Sequence, residues 1–328
     1  MEYVEELESV PEPEHVEQVM DGLLDTVSGT EGFTKAQYYL EGVLYSNGMI
    51  RHRDVGGTEG ILSKVGDGVK AAIEYVKKMF RSIWDFFFKS EKKQIEENLG
   101  KELTTAFNSL EKTKNPIVTP ANVNAALDKV EVKVNKLKDG PEKTKLKEKV
   151  KEAKESKDEG FKIKIVEVMP GEIFQAYKVP DIISEVYQAK FNVALEGLQA
   201  LQDQHKDEGK QHVIIVETQK ILNAGKALPK DANRVSTIEG AASYLKEAKK
   251  CADEICRSLD NLQRTESEFK TQIKNLDNAK SDEETRKSVG AMKTSLMGIS
   301  TLIHETKVLL RYLESVAKNI NKGCTMVV

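Results

Sequence analysis

Residues 281–320, SDEETRKSVGAMKTSLMGISTLIHETKVLLRYLESVAKNI, decide the fold class. Val289, Met292, Leu296, Ile299, Ile303, Thr306, Leu310, Leu313, Ala317 and Ile320 recur at alternating intervals of three and four. That spacing places them along one seam of a single long helix. Ser281 with Glu284 three residues later forms a capping-box pattern at its start. Upstream, Ser236 and Glu239 repeat the pattern. They open a second seam through Ala241, Leu245, Ala248, Ala252, Ile255, Leu259, Leu262, Glu266, Phe269, Ile273 and Leu276. The link between the two helices is short, so the expectation is an antiparallel helical hairpin at the C-terminal end of a mainly α protein. Glu266 is the one charged residue on either seam and predicts a local opening or a register device.

Working outward, residues 182–207 and 211–227 read as two further helices of a bundle over 180–328, separated around Gly209 and ended by Pro229. At 161–168, Phe-Lys-Ile-Lys-Ile-Val-Glu-Val alternates with period two, and Pro170-Gly171 suits a type II turn. A small β-hairpin is therefore expected over 161–179. Residues 96–160 read as a charged helical segment or linker. Within it, 119–138 is a helix with Thr119 as cap, Pro120 in the first turn and Val123, Leu127, Val130, Val134 and Leu137 on one face. The stretch 138–160 carries eight lysines and seven acids beside a thin stripe of Leu146, Val150 and Ala153. Its mixed signs argue against a grip on nucleic-acid phosphates.

The stretch 61–89, ILSKVGDGVKAAIEYVKKMFRSIWDFFFK, is the most distinctive in composition. The only Trp and four of the ten Phe fall within nine residues, and the apolar sector is about 200° wide. Lys70, Lys77 and Arg81 flank it on one side and Lys64, Lys78 and Lys89 on the other. Two readings stay open for this basic amphipathic helix, which belongs to a segment 60–95. Its stripe is core, or Met79, Phe80, Ile83, Trp84 and Phe87, with Lys77 and Arg81, form a surface for a membrane or a partner.

Charge is partitioned along the chain. The total over 328 residues is −3, yet residues 1–34 hold ten acids and no Lys or Arg. The remaining residues carry 50 basic and 43 acidic groups. Residues 1–59 therefore read as an acidic flexible leader, with short helices at 15–27 and 33–45, joined to a basic body. Three cysteines without a CxxC pair and no secretory pattern point to a reducing compartment. No apolar run is long enough to span a membrane. Five scattered histidines, of which His304-Glu305 is a fragment of a zinc motif, and the lack of any nucleotide-binding or nucleophile loop leave no catalytic, cofactor or metal site to name. A non-enzymatic protein is expected.

The leader, the segments Leu40-Glu41-Gly42-Val43 and Thr58-Glu59-Gly60-Ile61, and a helix ending Ile83-Trp84-Asp85-Phe86-Phe87 together resemble the internal head (virion core) proteins of large tailed bacteriophages. The resemblance covers roughly residues 1–95. It implies a structural protein packaged inside the capsid and located in the virion after assembly in the host cytoplasm. It also implies an acidic capsid-targeting propeptide removed by a maturation protease that cuts after Glu in a small-or-apolar/any/Glu context. Positions that match are Glu31 before Gly32 and Glu59 before Gly60, each within Gly-Thr-Glu-Gly; Ala194-Leu195-Glu196 before Gly197 also matches but falls in an expected helix. The implied partners are capsid or scaffold proteins, the protease and packaged DNA held by nonspecific charge, with ejection alongside DNA and peripheral membrane contact as further roles. The alternatives are a membrane-active amphipathic-helix protein and a cytoplasmic helical scaffold.

Overall fold

The computed structural model describes residues 11–29, 33–50, 67–85, 92–113, 118–177, 185–204, 213–228, 235–279 and 281–327. Twelve helices form among them. They are α1 (Pro13–Ser28), α2 (Lys35–Ser46), α3 (Asp67–Asp85), α4 (Lys92–Lys112), α5 (Val123–Asn135) and α6 (Pro141–Glu155). After these come α7 (Glu159–Tyr177), α8 (Glu185–Gln204), α9 (Val213–Lys226), α10 (Ile238–Gln263), α11 (Glu266–Asn278) and α12 (Asp282–Val327). The protein is mainly α, and no strand occurs among the described residues.

The expected β-hairpin at 161–179 is incorrect: α7 runs through it as a helix. Its buried residues are Val166, Met169, Pro170, Ile173 and Phe174, an i, i+3, i+4, i+7, i+8 stripe that only a helix can bury on one side. The alternation of β-branched residues in 161–168 is a weak preference that this packing overrides. Asp158 Oδ1 starts the helix by accepting from the backbone N–H of Gly160 and of Phe161, at 2.8 and 3.2 Å. Pro170, expected in a turn, sits inside the helix, where the cost of its missing N–H is met by burial of its ring.

The long helix expected after Ser236 is interrupted at the position its charged seam residue marked. α10 stops at Gln263, Thr265 Oγ1 donates to the Leu262 carbonyl at 2.7 Å, and α11 begins at Glu266. Glu266 thus occupies a helix first turn, where the macrodipole favours a carboxylate, and pairs with Lys270 at 2.9 Å. Ser281 opens α12 as its pattern required, accepting from the Glu284 N–H at 3.2 Å. Thr119 does not cap α5; its own N–H donates to Asn122 Oδ1, and the helix starts one residue after Asn122.

The chain divides into two compact units, and the division falls within α4, α8, α9, α10 and α12. One unit contains α4 to α7, α10 up to Asp253 and α12 from Leu309. Here α6, so highly charged outside, buries Leu146, Val150 and Ala153. Its Lys154 reaches both Asp128 and Glu131 of α5 at 2.6 Å, and its Lys149 reaches Glu172 of α7 at 2.6 Å. The other unit contains α1 to α3, most of α8 and α9, α10 from Glu254, α11 and α12 up to Val308.

In this second unit α1 and α2 approach closely at Gly22. A Cβ there would lie 2.8 Å from Leu40 Cβ and 2.9 Å from the Ala36 carbonyl carbon, and against its oxygen. The obstacle is α2 backbone, which cannot rotate away. Gly22→Ala should therefore cost about 1–3 kcal/mol despite alanine's better helix propensity. Gly42→Ala, with nothing within 4 Å of its Cβ position, should be neutral or stabilising. Urea unfolding monitored by circular dichroism reads both.

Candidate functional site

α3 is the centre of the candidate site. Its sequence spacing puts Ala72, Val76, Met79 and Ile83 on one line, all with no exposed surface, and Tyr75, Phe80 and Trp84 beside them at 4–6% exposure. The Phe80 and Trp84 rings pack tilted at 5.9 Å. Four of the residues expected at a membrane or partner surface, Met79, Phe80, Ile83 and Trp84, are thus brought together but face inward. Phe87 lies outside the described residues. Arg81 is exposed.

Lys77, expected at the rim of the apolar sector, is buried with 6% exposure. Its ammonium donates to Glu74 at 2.8 Å and to Asp277 of α11. Burial opposes the charge, but the hydrogen bonds to Asp277 and Glu74 outweigh it and raise the lysine pKa above its ordinary value. Lys77 therefore clips α3 to α11. Between Phe80, Trp84, Lys270 and Ile273 a recess of about 540 Å³ remains.

The two helices of the acidic leader pack on α3. α1 buries Val16, Val19, Met20 and Leu23 completely, and α2 buries Leu40 and Leu44. Glu12, Glu14 and Glu17 point outward. His15 ties the three helices together: Nδ1 lies 2.8 Å from the Tyr39 hydroxyl and Nε2 3.1 Å from the Tyr75 hydroxyl. In the neutral ring one nitrogen donates and the other accepts, so both hydroxyls are satisfied. Burial lowers the His15 pKa below its ordinary value. Burial first, and then the neighbouring Tyr39, raise that of Tyr75.

Two bonds anchor α1 to α12. Asp21 pairs with Lys293 at 2.5 Å, and Ser300 Oγ donates to the Pro11 carbonyl at 2.8 Å. None of these latch residues was singled out from sequence. Their partners lie between 24 and 289 residues away, and no spacing rule spans such separations.

The processing residues Glu31, Gly32, Glu59 and Gly60 lie outside the described residues, but the helices around them are defined. α1 ends at Gly29, whose φ of 64° is left-handed and whose N–H returns to the carbonyls of Asp25 and Thr26. α2 starts at Thr34 with a full capping box, its side chain accepting from Gln37 N–H and its N–H donating to Gln37 Oε1. The Thr34 hydroxyl also donates to Asp25 at 2.7 Å. The connection holding Glu31 is therefore six residues long and pinned at both ends, whereas 20 residues separate Ser46 from Asp67 around Glu59. Glu196 lies inside α8.

Among the described residues no group of three or more His, Cys, Asp or Glu is placed to hold a metal ion. No helix of the described residues is long and apolar enough to cross a membrane. Burial pushes the Cys324 thiol up to about 12, so it stays protonated. No protein-family model matches the chain, no curated protein matches it, and no solved structure matches its fold.

Because folding weakens proton binding at His15, its contribution to stability is fully present above about pH 6.5. That contribution is lost as the pH falls through the lowered folded-state value. The midpoint of thermal unfolding should drop from pH 7.5 to 5.5 by more in the wild type than in His15→Gln, which cannot titrate. Trp84 emission should be blue-shifted in buffer and unchanged by anionic vesicles, as its burial requires.

Proposed function

We propose that this chain is a non-enzymatic structural protein of a tailed-phage head interior, directed there by its acidic leader and matured by cleavage after Glu59. The observation that carries the reading is the coincidence of a charge boundary with a Thr-Glu-Gly junction in the sequence between α2 and α3. Residues 1–59 contain 13 acids and three bases, whereas the remainder contains 40 acids and 47 bases. Of the three sequences matching the protease context, one lies within α8 and one in a short connection clasped by Thr34, Gln37 and Asp25. Proteases need an accessible, unfolded segment, which speaks against the copy within α8.

The acidic leader is in this reading a folded mask as well as an address. Its apolar side packs toward α3 while Glu12, Glu14 and Glu17 face outward, so the uncleaved protein presents these acids to its surroundings. Cleavage cuts the covalent tie of α1 and α2, which then remain through their apolar packing and the His15, Asp21 and Pro11 contacts. The released body, with an excess of seven positive charges, suits nonspecific contact with packaged DNA. Capsid or scaffold proteins and the maturation protease are the partners this implies. Contact of α3 with a membrane would require the mask to leave first.

Peptide mass spectrometry of virions from the phage encoding the chain tests the reading. The expected result is a virion-associated chain beginning at Gly60. A virion form still beginning at Met1, or no virion-associated form, overturns it.

A further inference from the structure

In the unit built from α4 to α7, a cavity of about 390 Å³ opens between the end of α4, α5, α7 and the end of α12. Its volume falls in the ~300–1,000 Å³ range of small-molecule pockets. The floor is apolar: Val130, Val166 and Ile173 line it, each no more than 6% exposed. Among the described residues every charged group at its wall is a lysine, namely Lys112, Lys129 and Lys133, and no carboxylate lines it. This is unusual in a chain with 53 acids for 50 basic residues.

The lysines of α5 show that the bias is local. On one face of that helix Asp128 and Glu131 are both bonded to Lys154. On the other, Lys129, Lys133 and Lys136 stand at i, i+4 and i+7, and none of them is paired with a carboxylate among the described residues. Like charges at that spacing destabilise a helix by about 0.2–0.5 kcal/mol per pair. Lys133 is half-buried and, among the described residues, donates to the backbone carbonyl of Val327. Its pKa is lowered by burial and then by Lys129 and Lys136. Other lysines in the same unit, Lys143, Lys149 and Lys154, each have an acid within 2.9 Å. The cavity therefore combines an apolar interior with a positive rim whose lysines meet no carboxylate among the described residues.

We propose that this cavity binds an anionic amphiphile, a molecule with an apolar body and a single carboxylate or phosphate head. The body displaces water from Val130, Val166 and Ile173, and the head sits between Lys129 and Lys133 with Lys112 nearby. Relief of lysine repulsion and charge-assisted hydrogen bonds supply specificity for the anion, and the floor supplies affinity for the tail. The inference is independent of any processing of the leader.

Isothermal titration of the full-length chain with decanoate and with decyl phosphate tests it, both below their micelle concentrations. The expected result is one-to-one binding of at least one of them, with the preferred one naming the head group. Decanol and inorganic phosphate should each bind at least about tenfold more weakly, because each lacks half of the recognition. Lys129→Gln with Lys133→Gln should weaken binding by about tenfold or more, while Lys145→Gln with Lys151→Gln should not change it. Ala126→Phe fills the cavity and leaves every charge in place, and it should abolish binding with helical circular dichroism retained. The absence of one-to-one binding by both amphiphiles overturns the proposal, as does binding that survives both the double lysine variant and the Ala126 variant. Phosphate binding as tight as decyl phosphate also overturns it, by removing the tail from recognition.

Discussion

The wide apolar sector of α3 is the constraint on which its unit depends. Val76, Met79 and Ile83 have no exposed surface, and Trp84 and Phe80 almost none. A helix apolar over about half its circumference cannot be satisfied by one neighbour, because a single packed helix covers a stripe of roughly 100°. The coverage is shared. α11 reaches α3 through the Lys77 clip to Asp277, and α1 and α2 reach it through apolar contacts and the His15 latch. Leader and body are therefore one packing problem.

That sharing reconciles two properties of the leader that look opposed. Ten acids without a base suggest a solvated tail, yet Val16, Val19, Met20 and Leu23 recur at helical spacing and are wholly buried. An amphipathic helix holds both, with Glu12, Glu14 and Glu17 outside. Asp21 turns to the body, where Lys293 receives it at 2.5 Å. A protein whose leader is both acidic outside and apolar inside can be addressed by the first property and kept closed by the second.

Helix positions were legible wherever a 3.6-residue period was long or a cap was explicit. Ser281 announces α12, and the stripe of Leu146, Val150 and Ala153 announces α6. The charged seam residue Glu266 marked the break between α10 and α11, since a carboxylate on a buried seam is tolerated best at a helix start. The period failed as a guide in α7. There eight residues alternate with period two, and a Pro-Gly pair imitates a turn, while the helical stripe from Val166 to Phe174 lies across both signals. Local preference is worth a fraction of a kcal/mol per residue, and burying five side chains against α5, α6 and α12 exceeds it.

By itself the sequence determined the helical class, the partition of charge between leader and body and the concentration of Trp and Phe in α3. These are properties of composition and short-range spacing, which the chain carries before it folds. Only the tertiary structure decided that the α3 face is turned inward, that Lys77 is buried against Asp277 and that His15 meets Tyr39 and Tyr75. It alone gathers the lysines of α4 and α5 over an apolar cavity with the end of α12. Each of these joins residues tens to hundreds of positions apart, and such contacts are set by which faces pack together, a choice that no local pattern encodes.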